Sequence, residues 1–200
     1  MTTILSDPSY FIPPLIGVAV TSILLIMALI WSRRDFASAL FCGVLVSVAL
    51  QNFLIFGMRS SPDVYQALLW EKAACIPTVG VFVLYYHFTL IYTNTRGQRR
   101  ILLASYLLLV VVAALIPTDL VIQGMRVEDY GYTPIINPGG YPWFAAGSLL
   151  ALGGAYNLLK HYKVSASHEE KRRLAYLTIA VVFPLAGTLL DGFTNLPPLL

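Results

Sequence analysis

Apolar residues run along this chain in long unbroken stretches instead of alternating or recurring on one helical stripe. Six are evident: about Tyr10 to Trp31, Phe36 to Phe56, Ala67 to Tyr92, Ile101 to Ile116, Tyr141 to His161 and Leu174 to Leu190. A helix of about 20 residues crosses a ~30 Å hydrocarbon core. Each stretch nears or exceeds that length except the fourth, which can extend toward Val121. A membrane barrel would need ten-residue segments of alternating hydrophobicity, whereas Leu102 to Leu115 is almost continuously apolar. Helices satisfy their backbone internally, so the expected fold is all-α, a polytopic transmembrane helix bundle with six helices visible. The residues after Asp191, ending in Pro197, Pro198, Leu199 and Leu200, read as the start of a seventh.

Composition agrees with this picture. Hydrophobic residues make up 58% of the 200, charged residues 12%, and mean hydropathy is +0.73. A soluble domain carries about 25% charged residues, so roughly half the usual solvating surface is missing. The net charge of +3 is spread over loops, which argues against a nucleic-acid partner and for a lipid bilayer as the main one. Cys42 and Cys75 sit in apolar runs, with neither a disulfide framework nor zinc spacing. No cofactor or metal site is expected. Residues 1–10 lack a basic n-region, so the first apolar run is a helix and not a cleaved signal.

Loop charge sets the direction of travel. Arg33, Arg34, Arg96, Arg99, Arg100, Lys160, Lys163, Lys171, Arg172 and Arg173 lie in loops 1, 3 and 5, against only Arg59 and Arg126 on the other side, ten against two. The positive-inside rule places those three loops in the cytoplasm and the N-terminus outside, in a multi-pass protein of the cell membrane. The longest loop, about Pro117 to Gly140, is then external, and it ends in the turn-rich run Pro134 to Pro142. Tyr130, Tyr132, Tyr141 and Trp143 suit an interfacial aromatic belt.

Three segments carry a family likeness: WEKAACIPTVGVFVLYYHFTLIYTNTR in the third helix, GGYPWFAAGSLL closing the outer loop, and RRLAYLTIAVVFPLAGTLLDGFTNLPPL at the end. With the external N-terminus they resemble the seven-transmembrane N-terminal sensor region of bacterial histidine kinases, over nearly all of the chain. The resemblance implies an input domain over residues 1–200, truncated at the entry to helix 7. It also implies a homodimer, and a cytoplasmic histidine kinase or cyclase output domain in cis. No phosphoacceptor helix or glycine-rich nucleotide site is visible, so no catalytic residue is expected in this segment.

Charged groups within a membrane helix are costly, roughly 2.5 to 3.5 kcal/mol each near the centre, so they are candidates for function. Glu71 and Lys72 lie about 6 to 8 Å below the outer end of helix 3 at ~1.5 Å per residue. Gln51 and Asn52 reach that level on helix 2, and Asp191 and Asn195 close helix 6 there. The expectation is an outward-facing polar pocket of these six with Tyr141 and Trp143, where an unknown small molecule or membrane stimulus biases helix 3 against helix 6. The competing reading is structural, with Glu71, Lys72 and Asp191 pairing or snorkelling at the interface.

Pro77 and Pro184 are hinge candidates, each removing a backbone donor within a helix. His87 reads as a hydrogen-bonded packing residue, since no second ligand stands at i+4. The run His168 to Arg173 lacks the second histidine of a zinc protease and reads as a solvated cytoplasmic loop. Gly147, Gly153 and Gly154 allow close helix packing. Together these favour a signal-sensing membrane domain over a solute transporter or channel, whose inverted repeats and midplane polar sites are not found. An accessory subunit of a membrane complex is the third class.

Overall fold

A computed structural model describes residues 8–31, 35–128 and 131–179. Helices α1 (Pro8–Trp31), α2 (Phe36–Arg59), α3 (Val64–Tyr92), α4 (Arg99–Leu115) and α5 (Tyr141–Val164) follow the first five apolar stretches. Two aspartates fix where helices begin: the Asp35 carboxylate accepts the Ser38 N–H at 2.7 Å, and Asp63 accepts that of Gln66 at 2.8 Å. Both are N-cap residues in extended conformation, which is why α2 and α3 begin at their neighbours. Among the described residues Tyr10–Trp31, Phe36–Arg59 and Val64–Tyr92 are long and apolar enough to cross a membrane. α4, at 17 residues, extends about 25 Å at 1.5 Å per residue, slightly less than a typical hydrocarbon core.

α3 is the axis of the bundle, packing against α2, α4 and α5, while α1 packs on α2. Over an apolar stretch of 18 residues in each helix, 61% of α3 is buried, against 6% for α1 and 17% for α2. Close approach of α5 to α3 depends on the expected glycines. A Cβ at Gly147 would stand 2.6 Å from the Phe82 ring, and one at Gly154 would stand 2.5 Å from Tyr85. One core, with Val79, Val83, Tyr86, Leu90, Val112 and Leu150, joins α3 to α4 and α5. A second joins Leu40, Tyr85, Phe88 and Leu158 to Leu174.

Two features depart from the reading of the sequence. The loop after α4 is not made of turns alone: β1 (Ile122–Glu128) and β2 (Gly131–Ile136) form an antiparallel hairpin, with Met125 opposite Pro134 and a bulge between Ile122 and Gly124. A two-stranded sheet has only edges, so Pro134 sits in it without removing a needed ladder bond. The charged run 168–173 is helical, the opening of a sixth helix, α6, described over 168–179. Ser167 starts it, its hydroxyl accepting the Glu170 N–H at 3.4 Å and its carbonyl accepting the Lys171 N–H at 3.0 Å. Glu169 and Arg173 pair one turn apart at 2.5 Å, and the run is mostly exposed, as a solvated segment should be. The rest of the sixth apolar stretch, the seventh helix, Pro184, Asp191 and Asn195 lie outside the described residues, as do Arg33, Arg34, Asp129 and Tyr130.

Candidate functional site

The hairpin lies over one end of the bundle, where α2 ends and α3 begins. Met125 packs with Met58 of α2 and Ala67 of α3, and Tyr132 lies against the same cluster. Val121 and Ile122 meet Cys75, Leu68 and Trp143. Apolar residues thus seat the hairpin, and polar ones tie it down.

The tie runs through three elements. In an antiparallel pair alternate residues turn both N–H and C=O away from the partner strand. Tyr132 presents such an edge to Tyr10 of α1, whose hydroxyl accepts the Tyr132 N–H at 2.8 Å and donates to its carbonyl at 3.1 Å. Gly131, at φ +143°, leaves room for the ring, since a Cβ there would stand 2.1 Å from Tyr10. Arg59, the last residue of α2, donates from Nη1 to the Tyr10 carbonyl at 2.6 Å and lays its guanidinium over the Tyr10 ring, 4.8 Å from its centre. Its Nε is buried and has no hydrogen-bond partner among the described residues. Glu71, half-buried on α3, lies within the field of that guanidinium.

The residues expected to form a pocket are distributed around this point. Lys72 is paired with Asp119 at 2.8 Å, its side chain 12% exposed while the aspartate stands mostly in the open. The loop carrying Asp119 is braced by Asn137, whose amide donates to the Asp119 carbonyl at 3.1 Å. Trp143 is partly buried between α3 and the base of the hairpin, and Tyr141 is exposed at the start of α5. Gln51 is half-buried on α2. Asn52 turns to α1, donating to the Val48 carbonyl at 2.9 Å and occupying the space a Gly17 side chain would need, with Oδ1 2.4 Å from that Cβ. Glu71, Lys72 and Trp143 are therefore drawn to the hairpin end, and Asn52 serves the α1–α2 contact. Pro77 is buried in α3, which continues past it to Tyr92.

Tyr10, Arg59, Asp119 and Tyr132 were not among the expected site residues. Arg59 was visible as the lone cation of its loop, but its role depends on a partner 49 positions away.

At the opposite end polar side chains join α3, α4 and α5. Gln98, just before α4, accepts from the Tyr86 hydroxyl and exchanges amide hydrogen bonds with Asn157 of α5 at 3.2 and 3.4 Å. His87 Nδ1 lies 2.8 Å from the Tyr106 hydroxyl of α4, with edge-on ring contacts to Tyr106 and Phe36. This places His87 in packing, as its isolation in the sequence implied. Among the described residues no group of three His, Cys, Asp or Glu side chains is arranged to hold a metal ion.

A helical membrane bundle with this charge pattern agrees with one family model, the N-terminal 7TM region of histidine kinase, which matches residues 14–199. The chain belongs to that family. No curated protein and no solved structure shows significant similarity to it. As a histidine-kinase 7TM region it is the membrane-embedded, non-catalytic part of a signalling protein. The two polar junctions at its ends are where its helices are tied to one another.

Proposed function

We propose that this 7TM region receives a stimulus at the hairpin end and passes it, through α3, to a histidine kinase domain in the cytoplasm. In this reading the N-terminus and the hairpin are external, the arginine-rich end is cytoplasmic, and the protein works as a homodimer. The observation that carries the proposal is the Tyr10–Arg59–Tyr132 tie beside Glu71. It joins α1, α2 and the hairpin, next to a carboxylate on the axial helix.

A half-buried cation whose buried Nε has no partner among the described residues and a nearby half-buried carboxylate make an arrangement that a polar ligand or a displaced hairpin can shift. Binding energy moves such an equilibrium only by its differential affinity for the two arrangements. Couplings of about 1 to 3 kcal/mol, or roughly 5- to 150-fold, are typical.

The test is kinase output from the full-length protein carrying Glu71→Gln or Arg59→Gln. Either substitution should change basal autophosphorylation about fivefold or more at equal membrane abundance. Unchanged output from both variants would remove the hairpin end from the signalling path.

A further inference from the structure

The turn between α3 and α4 encloses an open cleft of about 430 Å3. Its floor is apolar, formed by Leu90, Ile91 and Leu102, and its rim carries Arg96 and Arg99. Both arginines are exposed, and among the described residues neither meets a carboxylate, nor does Arg100 beside them.

The turn itself is shaped around the opening. Asn94 and Gly97 take positive φ, +51° and +92°, and nothing lies within 4 Å of where a Gly97 side chain would project. Gln98, the residue before α4, gives its side chain to Tyr86 and Asn157 instead of capping the helix. The first backbone N–H groups of α4 are thus left without a side-chain acceptor beside two free guanidinium groups.

Of the other cations at this end of the bundle, Lys160, Lys163 and Arg172 are exposed on helices with no apolar cleft beside them among the pockets described, and two are engaged. Arg173 pairs with Glu169, and Lys171 stands over the Tyr162 ring at 5.8 Å. The α3–α4 turn differs in combining free positive charge with an apolar floor at the end of a membrane-spanning helix.

We propose that this cleft binds one anionic phospholipid, its phosphate held by Arg96, Arg99 and the first turn of α4, and its acyl chains lying along the cleft floor. Planar guanidinium groups suit the paired oxygens of a phosphodiester. The floor of Leu90, Ile91 and Leu102 distinguishes a lipid from a soluble anion, which would leave that surface against water. Basic pockets between membrane helices are a recurrent setting for anionic headgroups. A lipid seated here would brace α3 against α4 beside the His87–Tyr106 contact and the Gln98 link to α5.

The experiment uses full-length protein in nanodiscs of phosphatidylcholine containing a small fraction of phosphatidylglycerol, with retained lipid counted by native mass spectrometry. Wild type should retain one phosphatidylglycerol in preference to the zwitterionic lipid. The Arg96→Gln, Arg99→Gln protein should lose that preference about tenfold or more, while a Lys171→Gln, Arg173→Gln protein of equal charge keeps it. A photoreactive phosphatidylglycerol should label wild type near Ile91 and Leu102, a readout that needs no variant.

Absence of a preference, equal loss in both double variants, or labelling confined to other helices would overturn the proposal. Displacement of the lipid by millimolar inorganic phosphate would show a soluble-anion site and overturn it equally.

Discussion

At the scale of single residues, the hairpin end rests on few atoms. Removing only the Tyr10 hydroxyl, as Tyr10→Phe, leaves a ring for Arg59 but deprives the Tyr132 N–H and C=O of their partner. A partly buried group left unsatisfied costs about 1 to 3 kcal/mol. The expected outcome is faster amide exchange at Tyr132 with little change in the exchange of α3. Unaltered exchange at Tyr132 would mean that the hydroxyl does not hold the strand. These partners were not legible in the sequence, because Tyr10 and Tyr132 stand 122 positions apart and tyrosines near helix ends are explained equally well by an interfacial belt. Glu71 and Lys72 were legible for the opposite reason: a charge inside an apolar run is conspicuous on its own. Their partners were not, and Lys72 proves to be matched by Asp119 from the loop after α4.

At the scale of elements, the helices were readable because uninterrupted apolar stretches and capping aspartates are local signals. The hairpin was not, since Pro134 and Gly124 weaken any strand pattern and its stability comes from packing on Met58, Ala67 and Cys75. The connection between α5 and α6 shows a comparable non-local device. Glu170 accepts from the Ser165 hydroxyl at 2.5 Å and lies 3.1 Å from His161 Nε2. The Ser165 hydrogen bond, followed by that with His161, holds the Glu170 carboxyl below its ordinary value of 4.5. A depressed carboxyl pKa favours the folded connection above the ordinary value, and that advantage disappears as pH falls through the lowered one. Hydrogen exchange of residues 165–170 should therefore rise on acidification below about pH 4.5. Ser165→Ala should move that rise to higher pH, and an identical profile in the variant would exclude the hydroxyl as its cause.

At the scale of the whole molecule, mean hydropathy ranks the three spans by their contact with lipid. α1 is the most apolar at 2.4 and the least buried, α2 follows at 2.1, and α3 is lowest at 1.7 and the most buried. In water the order would be reversed, the most apolar helix lying innermost. In a bilayer the surroundings are as apolar as leucine, so the centre is held by packing and polar contacts. The axial position of α3 is therefore implicit in its lower hydropathy, its proline and its charged pair. Direction across the membrane is a separate matter, resting on the ten-to-two distribution of loop cations. With Cys42 and Cys75 replaced by serine, a cysteine at position 126 should react with a membrane-impermeant maleimide in intact cells, and one at position 96 only after permeabilisation. The reverse labelling would invert the proposed direction of signalling.

The tie between Tyr10 and Tyr132 also bears on how the molecule is made. A nascent chain delivers Tyr10 first and Tyr132 only after 122 further residues have emerged. Until then α1 has α2 as its main neighbour, and the Arg59 guanidinium covers a ring whose hydroxyl has no strand to meet. Closing a loop costs entropy that grows only with the logarithm of its length, so the wait itself is inexpensive. The hairpin thus acts as the closing stitch of biogenesis: α1 through α4 must already have been made before the first helix is fastened. Defects at Tyr10, Arg59 or Gly131 should accordingly leave insertion intact and appear as a newly made protein that is slow to become protease-resistant.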